Sequence, residues 1–461
     1  MATGRSAIRQ WLDAPAETPS TGARARTLPM LVVGAGPAGL AAMAALKAAG
    51  VAFVGIDSHA DAGGIWDPAN PVSSVYDGVS TVTSRDTTHL GKPMPRDWPV
   101  FVPQALALQH LRSFAGDHGL RPSIRFRTTF HGARKGAAGG WVATMVGPDG
   151  MTFEEPVRAI VIATGSHNRN HRSVPTTLAE QAAAAGIAAV HSADYRDAAP
   201  YAGKRMLIVG IGNSATDIAL KLSTVAARTM IAVRTPPWLL PAMILGRPGD
   251  RVKLSAEALH LPYWYQAFAM RAVNRLAIGD LGRWGLPRPD HGVLDRVPVT
   301  DRGIADAIRR GAVIAKPNVT RLEAGTATFA DGSREPIDAV IFATGFRRHY
   351  PLLAADPATG EATSADLAFH IFHPAEPDLA FMTELVGPRS CWPIFVEQAQ
   401  VVAAYFAADQ RESPRAAAFD ARRARPTPTF KGKVFAAGDS FHVDYPTYTR
   451  AMRDLSGWLA G

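Results

Sequence analysis

With one cysteine, Cys391, in 461 residues, the chain can form no internal disulfide and carries no pair of redox thiols. That excludes a disulfide-stapled scaffold and a dithiol reductase, and a reducing compartment such as the cytoplasm is expected. Charged residues are sparse at 19% against 47% apolar, a balance that describes a well-cored globular protein. The 49 Lys+Arg against 40 Asp+Glu leave a net charge of +9. These basic residues are scattered, with no helix-long stripe, so they argue for a surface that attracts anionic cofactors rather than for nucleic-acid binding. An unbroken membrane-length apolar run is also lacking. Leu28 to Leu46 is uncharged but interrupted by Pro29, Gly34, Gly36, Pro37 and Gly39, and Met452 to Gly461 is short and mixed. Residues 1–27 are polar, contain Pro and Arg, show no signal-peptide pattern and read as a loose N-terminal arm. The length allows two or three domains.

What is present is organised around Met30 to Asp57. The apolar run Met30-Leu31-Val32-Val33 reads as a central parallel strand and leads into Gly34-Ala35-Gly36-Pro37-Ala38-Gly39, a Gly-x-Gly-x-x-Gly turn. Leu40 to Ala49 is a helical run stopped by Gly50, and Phe53 to Ile56 makes a second strand ending at Asp57. Gly34 permits the turn, Gly36 lets a pyrophosphate approach the backbone and Gly39 lets helix and strand pack closely. Phosphates then meet the free N–H groups of the helix N-terminus, and Asp57 can accept bonds from an adenosine ribose.

A second copy follows. The strand Met206 to Val209 runs into Gly210-Ile211-Gly212-Asn213-Ser214-Ala215 and a helix over Thr216 to Ser223, and the strand Thr229 to Val233 ends in Arg234-Thr235. Asp57 lies 23 positions after Gly34 and Arg234 lies 24 after Gly210, so the positions correspond and the charge is reversed. An acid pairs with a free ribose 2′-OH and an arginine with a 2′-phosphate, so the first site suits FAD or NAD and the second suits NADP. Two buried strands, Ala159 to Ala163 and Ala339 to Ala343, share an Ala-Thr-Gly ending at Thr164-Gly165 and Thr344-Gly345, and they bracket a segment of domain size. Between the copies and around them the pattern predicts a helix over Gln104 to Gly116, a strand at Ile124 to Thr128, a hairpin across Gly147 to Gly150 and a helix near Tyr263 to Ala277 within an otherwise irregular Arg247 to Asp301. Near the end it predicts a strand from Leu379, a loop at Trp392-Pro393, a helix through Tyr405 and a linker over Ala407 to Thr429. Gly63-Gly64-Ile65-Trp66 suits a loop on which a flat ring can lie.

Two nucleotide turns, an acid after one and an arginine after the other, Gly63 to Trp66, Ser74-Val75-Tyr76, Met94-Pro95 with Trp98-Pro99, and the twin Ala-Thr-Gly strands together resemble the class B flavin monooxygenases, most of all the flavin-containing, N/S-oxygenating branch. The resemblance implies an α/β fold of two Rossmann-like dinucleotide-binding domains, the NADPH domain inserted into the FAD domain. Its expected boundaries are 1–27 for the arm, 28–168 for the first part of the FAD domain, 169–336 for the NADPH domain and 337–461 for the rest of the FAD domain. The implied activity forms a C4a-(hydro)peroxyflavin and inserts one atom of O2 into a small organic substrate, at nitrogen or sulfur. Baeyer–Villiger oxygenation, an NADPH oxidase or reductase without oxygen transfer, and a nucleotide-binding regulator without turnover stay open. Small-molecule substrate and O2 are the implied partners, with no nucleic acid and no membrane, and a homodimer is left open.

The resemblance departs from the family in two places. In the family signature, His191 and Tyr195 stand in the right relation, but Gly186 is one residue too far upstream and no Phe precedes it. An asparagine that the family holds near the flavin falls, in Thr81-Val82-Thr83-Ser84-Arg85, on Val82, which cannot hydrogen-bond; Arg85 keeps the charge of the family's lysine and could serve an anion there. The candidate catalytic residues are therefore Val82 and Arg85. The candidate cofactor residues are Gly34, Gly36, Pro37, Ala38, Gly39, Asp57, Gly64, Ile65, Trp66, Thr164, Gly165, Gly210, Gly212, Asn213, Ser214, Ala215, Arg234, Thr235, Thr344 and Gly345. His167 and His171 are four apart but lack a third ligand and a helix, so no metal site is expected. Gly438-Asp439 resembles a ribitol-binding pair and is equally well read as a surface strand.

Overall fold

The computed structural model describes residues 8, 11–12, 25–167, 169–252, 261–353, 367–387, 389–428, 430 and 441–461. The strands of its two large parallel sheets, in chain order, are β1 (Met30–Val33), β2 (Phe53–Asp57), β3 (Ile124–Phe126), β4 (Ile160–Ile162), β5 (Ala188–His191), β6 (Arg205–Val209), β7 (Arg228–Val233), β8 (Ile314–Pro317), β9 (Ala339–Phe342) and β10 (Leu379–Phe381). They form two five-stranded sheets, ordered β10-β4-β1-β2-β3 and β8-β7-β6-β9-β5. β1 and β4 are buried at every residue, as strands covered on both faces must be.

The two units are built alike. In each, the strand entering the glycine turn is central, the strand ending in Asp57 or before Arg234 lies on one side, and the Ala-Thr-Gly strand lies on the other. Each also sends a three-stranded antiparallel sheet out between its third strand and its Ala-Thr-Gly strand: Thr129–Lys135, Trp141–Val146 and Thr152–Val157 in the first, Val319–Glu323, Thr326–Phe329 and Arg334–Pro336 in the second. The duplication read from the turns therefore extends to whole units.

That symmetry shifts one expectation. A return to the first unit at residue 337 is not what the pairing shows, because β9 bonds to β6 and β5 of the second sheet, and β10 is the strand that rejoins the first. The hydrogen-bond partner of a short apolar strand lies far away in sequence, so two equivalent strands cannot be told apart by their own residues.

The helices also differ in places from the sequence pattern. The first turn's helix, α1, spans Pro37–Ala48 and packs along a long helix over Trp392–Gln410, which also packs against Tyr445–Ala460. Trp392-Pro393 thus opens that helix instead of forming a loop, since a proline in the first helical turn forfeits no hydrogen bond. The expected linker is largely helical: the long helix runs to Gln410, and a further helix, Pro414–Arg423, starts under a Ser413 cap and buries Phe419. The arm is not loose where it is described. Ile8, Trp11 and Leu12 are helical, Ile8 and Trp11 are buried, and the Trp11 ring stands edge-on to Phe369 at 4.9 Å. The helix Tyr263–Val273 forms near its expected place and runs into a π turn, Asn274–Ile278. Gly438-Asp439 lies outside the described residues.

Candidate functional site

Both glycine turns open into one cavity of about 930 Å³ between the units. At the first turn, Gly34 has φ 110°, and an added Cβ there would sit 2.5 Å from the Ala163 carbonyl oxygen; Gly210 has φ 116° and faces the Ala343 carbonyl in the same way. Each Ala-Thr-Gly strand thus crosses directly behind a turn, which is why the two endings match. Gly39 lies against the Gly34 carbonyl, so it is a packing residue. Neither helix N-terminus is capped by a side chain at its N-cap, Gly36 or Gly212. Unclaimed N–H groups at two helix N-termini facing a cavity fit the phosphates of two dinucleotides.

Around the first turn, Gly34, Gly36, Pro37, Ala38, Asp57, Gly64, Ile65 and Trp66 line the cavity. The Gly64 loop meets the turn backbone to backbone: a Cβ on Gly64, at φ 58°, would lie 2.9 Å from Gly36 Cα. The Asp57 carboxylate accepts from Ala35 N at 2.6 Å and from His59 N at 2.8 Å. Burial pushes its pKa up, against the two backbone N–H groups and His59, which pull it down. Thr164 and Gly165 line the wall, and Thr164 Oγ1 is buried without a hydrogen-bond partner, as a hydroxyl awaiting a bound group would be.

From the second unit Gly212, Asn213, Ser214 and Gly345 face the cavity. Gly210 and Ala215 are packed behind the turn, and the Thr344 hydroxyl is bonded to the Ser173 carbonyl. Arg234 and Thr235 lie beyond the lining residues, Arg234 exposed at the end of β7.

The two candidate catalytic residues part company. Val82 is 39% exposed and lines the cavity. Arg85 is not among the lining residues: its guanidinium donates to the Trp98 carbonyl and lies 4.0 Å from Asp86. Its neighbour Ser84 is turned into a buried network in which Ser84 N and Oγ donate to Asp250 at 2.8 and 2.9 Å. Arg85 thus stands outside the cavity lining, with its guanidinium turned to the Trp98 carbonyl.

Several cavity residues carried no sequence signal. Arg302 projects from the second unit and donates to Ser80 Oγ at 2.8 Å and to the Thr81 carbonyl. Asp217, on the second turn's helix, pairs with the Tyr76 hydroxyl, whose pKa is driven up by burial and by that carboxylate. Glu384 accepts from Ser166 Oγ and pairs with His167 Nδ1 at 2.8 Å. It is held down to about 2 against the opposing cost of burial, by the His167 charge first and then by the bonds from His167 and Ser166. His167 is correspondingly raised above its ordinary value, chiefly by Glu384. His167 thus has a carboxylate partner, and no metal-holding cluster is found among the described residues. The helix Tyr263–Val273 turns Tyr265, Gln266, Ala269, Met270 and Val273 to the cavity and leaves Trp264 and Phe268 exposed. No helix among the described residues is long and apolar enough to cross a membrane.

Comparison with known proteins agrees with this geometry. A family model described as flavin-binding monooxygenase-like matches residues 28–406. The chain is 29% identical over 328 residues to a probable indole-3-pyruvate monooxygenase of Arabidopsis thaliana, covering 70% of this chain and 75% of that protein. It is 29% identical over 388 residues to an N-oxide-forming dimethylaniline monooxygenase of Cavia porcellus, covering 80% and 71%. Among solved structures, a cyclohexanone monooxygenase with bound epsilon-caprolactone superposes with a TM-score of 0.64 at 17% identity, covering 93% of this chain and 98% of that one, which shows a shared fold.

Proposed function

Because the chain belongs to the flavin-binding monooxygenase-like family, whose members are NADPH-dependent oxidoreductases carrying FAD, we propose that it inserts one atom of O2 at a nitrogen or sulfur of a small organic substrate, with FAD on the first turn and NADPH on the second. FAD held there would supply the redox chemistry, with NADPH as the two-electron donor and O2 as the oxidant, so that one oxygen atom would reach the substrate and the other would leave as water. The observation that carries the assignment is the single cavity into which both uncapped helix N-termini open, so that two dinucleotides can meet end to end.

The chain's own residues have defined tasks in this reading. The N–H groups following Gly36 and Gly212 bind the two pyrophosphates, and Asp57 takes the adenosine ribose of FAD. Gly64 to Trp66 back the flavin ring, and Arg234 takes the 2′-phosphate of NADPH. The apolar faces of Val82, Met270, Val273 and Phe395 exclude water from the reacting centre. The similarity to an N-oxide-forming relative over 80% of the chain supports oxygenation at a heteroatom.

The test starts without oxygen. NADPH should bleach the bound flavin, and admitting O2 with an organosulfide or a tertiary amine should give the oxygenated product while hydrogen peroxide release falls. A flavin that NADPH cannot reduce would end the enzymatic reading. A ketone converted to an ester, with no reaction at sulfide or amine, would replace heteroatom oxygenation with Baeyer–Villiger chemistry.

A further inference from the structure

Val82 brings an apolar surface to the cavity at the position where the resemblance sets an amide, and the structure brings a guanidinium from the other unit onto the two residues before it. Arg302 follows the short strand Val299–Asp301. Its Nη1 donates to Ser80 Oγ at 2.8 Å and its Nη2 to the Thr81 carbonyl, so it grips the two residues immediately before Val82 across 222 and 221 positions of sequence. The guanidinium carbon lies 4.5 Å from the centre of the Phe101 ring, a cation–π contact. Arg302, Phe101, Ser80, Thr81 and Val82 all line the cavity. Two of the five N–H groups of the guanidinium are used in these bonds, which leaves donors for a ligand.

The same residue is tied to the second turn. Thr300 N donates to Asn213 Oδ1 at 3.1 Å, so the strand that leads into Arg302 is anchored to the turn proposed to bind NADPH. Burial pushes the Arg302 pKa down, and the charges of Asp217 and Tyr76 oppose that shift without cancelling it.

Resting on the flavin reading above, we propose that Arg302 supplies the fixed positive donor that position 82 does not: it stabilises negative charge developing in the cavity beside Val82 and at the same time sets the position of the Val82 loop. A planar fork held by an aromatic ring and two acceptors is preorganised for this task and needs no rearrangement as charge develops. A lysine could keep the charge but could not hold Ser80 and Thr81 together in one plane.

Four variants test the assignment: Arg302→Met, Arg302→Lys, Val82→Asn and Arg302→Met/Val82→Asn. Hydrogen peroxide released per NADPH oxidised should rise threefold or more in Arg302→Met with the KM for NADPH within twofold of wild type. It should rise less in Arg302→Lys, and it should fall back toward wild type when Val82→Asn restores a donor. The flavin midpoint potential, measured by photoreduction without NADPH, should drop in Arg302→Met and hold in Arg302→Lys, because reduced flavin carries the charge that a nearby cation favours. Unchanged peroxide release and potential in Arg302→Met would overturn the proposal. So would losses in Arg302→Met that follow FAD content and melting temperature and that Val82→Asn does not repair, since that pattern belongs to a structural clasp. A wild-type flavin that NADPH fails to bleach would remove the functional reading instead, and the potential would still report on Arg302.

Discussion

Glu384 and His167 meet at the cavity wall, the carboxylate 2.8 Å from the ring Nδ1. His167 and His171 look like metal ligands only by spacing, and the partner that matters, Glu384, lies 217 positions away. The pairing predicts a pH dependence whose sign follows from the two shifts. Glu384 is depressed from an ordinary 4.5 to about 2, so its contribution to stability is present above its ordinary value and is lost as pH falls. His167 is raised above 6.5, so its contribution is complete below that value and is lost as pH rises through the folded one. The ion pair therefore stabilises most between the two ordinary values. The melting-temperature gap between wild type and His167→Gln should be widest near pH 5 to 6 and should shrink above pH 7; a gap that widens with pH would show that the ring acts as a neutral acceptor. Arg85 makes the complementary point. Its charge was legible from sequence, but the Trp98 carbonyl that claims it was not.

At the scale of elements, the strand–turn–helix of each nucleotide site was legible because its determinants are local: an apolar run, glycines at fixed offsets and a helical run that begins where the turn ends. Elements defined by distant partners were not. β9 pairs within the second sheet although its sequence suits either unit, and Ile8 and Trp11 stand among polar neighbours although they belong to the core around Phe369 and Phe419. The glycines of the first turn also divide by task. At Gly36 the backbone has φ −76°, which any residue adopts, and an added Cβ would make an ordinary 3.5 Å contact with Gly64 Cα. At Gly39 a Cβ would overlap the Gly34 carbonyl. Gly36→Ala should therefore melt close to wild type yet be purified with less FAD, whereas Gly39→Ala should lose about 1–3 kcal/mol of stability whether or not FAD is present, as overpacking does. Urea unfolding of flavin-free and flavin-loaded samples separates the two. Equal destabilisation in both variants would place Gly36 in packing as well.

Across the whole molecule, the segment from Ser73 to Val82 belongs to the first unit and is held by the second. Arg196 donates to the Ser73 carbonyl at 3.1 Å, Asp77 N donates to the Arg196 carbonyl at 2.8 Å, Lys221 reaches the Gly78 carbonyl at 3.3 Å, and Arg302 holds Ser80 and Thr81. Lys221 and Asp217 stand on the helix whose N-terminus is the second turn, so a ligand at that turn steadies the groups that clasp the cavity wall of the first unit. Ligand binding to the folded form adds RT ln(1 + [L]/Kd), roughly 2.7 kcal/mol at a hundredfold excess over Kd. NADP+ should accordingly raise the temperature at which flavin is released, read as the onset of flavin fluorescence on heating, although flavin sits on the other turn. NAD+ at equal concentration should raise it far less, because it lacks the phosphate proposed for Arg234, whose charge-assisted contact is worth roughly 1.5–3 kcal/mol. In Arg234→Ala the two nucleotides should converge, with the KM for NADPH up tenfold or more and that for NADH little changed. If NADP+ left the release temperature of the wild type unmoved while still binding, the two sites would be energetically separate and the clasp would be packing alone.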